Sequence, residues 1–153
     1  MSALSPLQLE HLVFTTVKIS AQHLQEPQVQ GALNTAVEFK TQPAAPESDD
    51  RRWVVAVRVH LNDAPEDTKL KTPYVGTVEC VGYFTVSQAW PADKVQQLVA
   101  VNGTGLLYSA IREMVCTITA RGPWGTIMLP TQSFVDATKA NQPAQRPAEK
   151  GAR

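Results

Sequence analysis

NGTGLLYSAIREMVCTITARGPWGTIMLPTQSF, residues Asn102 to Phe134, reads as one long helix, a turn and a greasy extended run. A surface helix keeps its apolar residues to a single stripe. Here Leu107, Ile111, Met114, Val115 and Ile118 share one face at 3.6 residues per turn, while Leu106, Tyr108, Ala110, Cys116 and Ala120 spill onto the flanks and back. A 153-residue chain with one small core has little with which to cover both sides. The pattern therefore places this helix between subunits. Asn102 reads as its N-cap, and Gly103 and Gly105 mark a break or close packing near its start. Gly122 reads as the closing C′ residue, with Pro123 just beyond. Ile127-Met128-Leu129-Pro130 follows, too irregular for a sheet strand.

Upstream the period changes to two. Leu7 to Ser20 alternates, with Val13, Thr15, Val17 and Ile19 on one side and Phe14, Thr16 and Lys18 on the other. Ala36 to Lys40 forms a second short strand. The third is the clearest: Trp53, Val55, Val57, Val59 and Leu61 point one way, Val54, Ala56, Arg58 and His60 the other. Tyr74 to Gln88 is the fourth, with Gly76 and Gly82 as bulge or close-packing points. The breaks fall at Ala21–Gly31, Pro43–Asp50 and Asn62–Pro73. Connections this short imply an antiparallel meander. Trp90-Pro91-Ala92-Asp93 then opens a short helix, Lys94 to Val101, and Phe134 to Ala140 reads as a last short helix. The expected fold is α+β, a four-stranded antiparallel sheet with the long helix and shorter helices on one face. One domain spans 1–140. The end, 141–153, holds two prolines, three alanines and no large apolar residue, and is expected to be a disordered tail.

Composition excludes several classes. No run of about 18 apolar residues is present, and the N-terminus has no secretory pattern, so a cytoplasmic protein is expected. Residues 1–137 hold ten basic and thirteen acidic groups, whereas the tail sets Lys139, Arg146, Lys150 and Arg153 against Glu149. Neither half has the clustered basic face that nucleic acid requires. Cys80 and Cys116 sit among apolar neighbours as buried thiols, and His11, His23 and His60 lie far apart. No metal spacing, phosphate loop or cofactor motif is found, and no enzyme is expected. Tyr108 and Arg112, four apart on one helix face, read as a pair that fixes packing. Trp124, Ile127, Met128, Leu129 and Phe134 either cap the core or wall a groove for extended peptides.

The residues LLYSAIREMVCTITARGP, followed by Leu129-Pro130 and then Ser133-Phe134, resemble the long helix and crossover loop of the SecB family of protein-export chaperones. Val78 to Val86, VECVGYFTV, looks like the family's fourth strand. The resemblance covers Thr77 to Ala137 and reaches the earlier strands only by pattern. It implies an ATP-independent holdase for unfolded preproteins, with a client groove between crossover loop, long helix and sheet. Phe84, Trp90, Trp124, Ile127, Met128, Leu129 and Phe134 would line that groove. It also implies a tetramer, a dimer of dimers, with Leu107, Tyr108, Ile111, Arg112, Met114, Val115 and Ile118 at the interface. The family docks on the motor protein SecA through an acidic sheet face and its C-terminal tail. Here Lys18, Lys40, Arg58 and His60 dilute that face and the tail is basic, which counts against SecA. Two other readings stay open: a dedicated chaperone of one client, such as the antitoxin of a toxin–antitoxin pair, and a small-molecule binder with a sheet-plus-helix cavity.

Overall fold

The computed structural model describes residues 3–22, 35–47, 51–61 and 73–137. His23, most of the three inter-strand connections, the last three residues of the short helix expected at Phe134–Ala140, and the tail lie outside these. Four strands form one antiparallel sheet: β1 (Leu7–Ala21), β2 (Thr35–Pro43), β3 (Arg52–Leu61) and β4 (Tyr74–Val86). The order is β1-β4-β3-β2. This corrects the expected meander. Strands β2, β3 and β4 do follow one another as hairpins, but β1 lies beside β4, a Greek-key arrangement.

Alternation decides which face is covered. Val55, Val57, Val59 and Leu61 of β3 and Val78, Cys80, Phe84 and Val86 of β4 are all buried on the helix side. β1 departs from strict alternation because its pairing slips between Leu9 and His11 and again between Phe14 and Thr16. After the second slip Val17 stands opposite the buried Val78, and Thr15 leaves the side expected from alternation to bond Glu79 on the outer face. Gly76 is required where β1 crosses: a Cβ there would collide with the Lys18 carbonyl.

The helical layer is one continuous stretch. A 3-10 turn (Ala92–Lys94) leads into α1 (Val95–Leu98), a π-turn (Val99–Gly103) and α2 (Thr104–Thr119). Asn102 is thus inside the π-turn and caps nothing, because the helix does not begin there. The wider turn takes up part of the change of face between buried Val95, Leu98 and Val99 and buried Leu107, Ile111 and Val115. Gly103 lets it press on the sheet: a Cβ would stand 3.3 Å from Val55 Cγ2. At the other end Gly122 keeps an ordinary negative φ, so the expected left-handed cap is absent. The helix closes by tight turns, Arg121 N–H to the Ile118 carbonyl (3.1 Å) and Gly122 N–H to the Thr119 carbonyl (2.9 Å). The small residue at 122 is needed for another reason, since any side chain would strike the Tyr74 hydroxyl.

Candidate functional site

From Arg121 to Ala137 the chain runs back along α2 as an irregular strap. Its attachments are mostly side-chain bonds. The Tyr74 hydroxyl, buried at the start of β4, lies 3.0 Å from the Gly125 carbonyl and 3.3 Å from that of Thr119, and accepts the Trp124 N–H at 3.2 Å. Gly125 takes the left-handed turn (φ 79°). The Ile127 N–H donates to Thr119 Oγ1 (3.0 Å), which in turn donates to the Val115 carbonyl (2.7 Å). Arg112 Nε donates to the Leu129 carbonyl (3.0 Å), and the Tyr108 hydroxyl to that of Pro130 (2.6 Å). Burial raises the Tyr108 pKa, against the opposing charge of Arg112, so the hydroxyl stays protonated as a donor. Phe134 ends the run edge-on to both Phe39 of β2 (6.0 Å between centroids) and Tyr108 (5.6 Å).

This arrangement sorts the residues singled out in the sequence. Leu129 is 1% exposed and plugs the core, Ile127 and Phe134 are half-buried, and Met128 points outward at 65%. Trp124 is held at the strap's start, its ring N–H on the Gln22 carbonyl (2.8 Å) at the end of β1. Phe84 is 1% exposed and lies beneath Gly82 and Gly103, so it is core and not a groove wall. Trp90 stands elsewhere, in an open cleft of about 430 Å³ that includes Leu4, Pro6, Glu10 and Thr85.

Four of the expected interface residues are corrected the same way. Leu107, Tyr108, Ile111 and Val115 are buried inside this one subunit, because the sheet covers one side of α2 and the strap a second. Arg112 is engaged by the strap. Met114 and Ile118 remain half-buried, beside a half-exposed Leu106. Cys116 is also only half-buried, whereas Cys80 is fully enclosed and burial pushes its thiol up to about 12.

Sequence reading missed Phe39, Tyr74 and Thr119, whose roles depend on the strap's path. It also missed the edge of β2, which no described strand covers. The Ala44 N–H reaches the Arg52 carbonyl at 2.8 Å, and counting back in twos turns the backbone of Lys40 and Glu38 toward β3. Val37 and Phe39 therefore direct their N–H and C=O groups away from the sheet, and the Phe39 ring meets that of Phe134.

The outer sheet face is different in kind. Glu38, Arg58, Glu79 and Thr15 form a polar row with one residue from each strand. Arg58 contacts Glu79 at 2.6 Å and Glu38 at 3.9 Å, and Thr15 donates to Glu79 at 2.5 Å. The Thr15 hydroxyl, helped by Arg58, holds the Glu79 carboxyl below its ordinary range despite some desolvation. His60 lies 3.6 Å from Glu38 and 3.2 Å from the Thr77 hydroxyl.

This architecture, an open antiparallel sheet backed by one long helix and a returning strap, is a SecB-like fold. Among solved structures it is similar to the Mycobacterium tuberculosis Rv1957 SecB-like chaperone in complex with a ChAD peptide from the Rv1956 HigA1 antitoxin. That similarity has a TM-score of 0.58 and 21% identity over 83% of this chain and 91% of that one. A protein of unknown function from Streptococcus agalactiae matches at a TM-score of 0.45 and 13% identity, over 84% of this chain and 99% of that one. No family model and no curated protein sequence matches the chain.

Proposed function

We propose that this protein is an ATP-independent holdase of SecB type that binds unfolded or unassembled polypeptides and performs no chemistry on them. One observation carries this reading: a strap that leaves Met128 65% exposed and seats Phe134 against Phe39 of the edge strand β2. An extended client can add its backbone to Val37 and Phe39 while its apolar side chains meet Met128, Ile127 and Phe134. Methionine suits a variable client because it repacks at low cost. The likeness to a SecB-like chaperone supports the reading at the level of fold.

The protein should delay aggregation of a chemically unfolded test protein at about one subunit per chain, without nucleotide. Met128→Ser with Val135→Ser, both 65% exposed and so dispensable for folding, should abolish the delay. Equal protection by variant and parent would put the client elsewhere. No protection by the parent would leave only the dedicated version, a chaperone for one client such as an antitoxin. The antitoxin peptide carried by the Mycobacterium tuberculosis chaperone favours that second reading.

For assembly we propose a tetramer in the cytoplasm, a dimer of dimers of about 67 kDa, four times the 16.7 kDa subunit. A second copy would cover Leu106, Ala110 and Met114 in place of the buried residues first expected. Light scattering that returns a monomer would remove this part. The mixed charge of the outer face counts against SecA as partner.

A further inference from the structure

We infer that Tyr108 and Arg112 are a two-point latch, and that its release lifts the strap from Leu129 to Phe134 so that a client segment takes the place of Leu129; this rests on the chaperone reading above. The two side chains stand one helical turn apart and hold consecutive carbonyls, those of Pro130 and Leu129. Among the described residues, the bonds found for the backbone from Thr126 to Ser133 go to side chains of α2, at Thr119, Arg112 and Tyr108. No helix or sheet ladder has to break for this segment to move. The upstream end has a ready pivot: Gly125 sits in the left-handed region with open space around it, while Tyr74 anchors its carbonyl and the Trp124 N–H. Pro130 is exposed, so its carbonyl meets water once released.

What the strap covers is more apolar than what it shows. Closed, it leaves Met128 outside and keeps Leu129 at 1% exposure with Phe134 wedged between Tyr108 and Phe39. Lifted, it joins that floor to the open edge of β2, and one extended chain can use both. Tyr108 and Arg112 are then positioning residues that set how often the site is open. A ligand that binds only the open form gains apparent affinity in proportion to the open fraction.

The test uses a thiol at the plug, from Leu129→Cys with Cys116→Ser. Cys80 stays silent because it is buried and its thiol is pushed up to about 12. Labelling of the new thiol should accelerate roughly fivefold with Tyr108→Phe or Arg112→Gln and roughly twentyfold with both, as expected for losing one or two ordinary hydrogen bonds. Amide exchange at Val57 and Val78 should not change. With Leu129 intact, the double latch variant should bind a carboxymethylated, permanently unfolded polypeptide more tightly by a similar factor in fluorescence anisotropy. Unchanged labelling, or acceleration matched by exchange throughout the sheet, would overturn the latch. Faster labelling with weaker client binding would overturn the lid, because the closed strap would then be the binding surface. If neither parent nor variant binds the polypeptide, the general-client chaperone reading fails, and labelling alone still decides whether the latch exists.

Discussion

The sheet centre and the strap are both apolar, yet they are held by different forces. In β3 and β4 every inward side chain from Val55 to Leu61 and from Val78 to Val86 other than Gly82 is apolar and buried, and both strands are paired on either side. The strap also sends Leu129 into the core, but its backbone hangs on the side chains of Tyr74, Tyr108, Arg112 and Thr119. A ladder shares load over many equivalent bonds. A strap tied at a few points can detach locally at a cost well below that of unfolding. Apolar content alone therefore does not distinguish a fixed core from a surface built to exchange partners.

The comparison can be broken most severely at the centre. Val57→Asp places a carboxylate at a site with 0% exposure and should unfold the protein, a loss above about 4 kcal/mol; a cooperative far-UV melt near that of the parent would refute the ladder as the rigid part. Leu129→Ala should cost about 2 kcal/mol by urea titration, the low end for a buried leucine, because the strap can readjust. A loss of 4 kcal/mol or more would make the strap part of the fixed core. Tyr74→Phe removes the hydroxyl that joins Trp124, Gly125 and Thr119 and should cost about 1–2 kcal/mol in thermal melts, with exchange rising first in the strap.

Glu79→Gln, on the outer face, should cost under about 1 kcal/mol at pH 7. Its carboxyl is held below the ordinary 4.5, so the folded protein favours the ionised form. That contribution is present above pH 4.5 and fades as pH falls through the lowered value. Parent and variant should therefore draw together in denaturant titrations as pH falls below 4.5, and a gap that does not narrow would mean a steric effect. Deletion from Asn141 onward should leave the melting temperature unchanged, since that sequence has nothing to bury.

Much of the fold was legible because it follows from period. Alternation at Val55, Val57, Val59 and Leu61 located β3 and its buried face, and the apolar run from Leu106 to Ala120 located α2. Pairing order was not legible, since neighbours in sequence give no sign that β1 crosses to β4. The slips in β1 were equally hidden: an extra residue at Thr15 changes which side chains face inward without altering composition. The candidate site was half legible. The apolar residues after Gly125 stood out, but which one plugs the core and which points outward depends on bonds from Arg112 and Tyr108 across 17 and 22 positions. The helix was assigned to a subunit interface for a similar reason, because nothing local says that the chain returns to cover it.

The row Glu38–Arg58–Glu79–Thr15 has a kinetic consequence. Its two carboxylates share the Arg58 guanidinium, at 2.6 Å and 3.9 Å, and Lys18 and Lys40 stand on the same face, so opposite signs are interspersed and little net field projects beyond it. Any molecule that docks there arrives by unguided diffusion, at an association rate of about 10⁵–10⁶ M⁻¹ s⁻¹. Added salt, which slows electrostatically steered encounters steeply, should leave that rate almost unchanged.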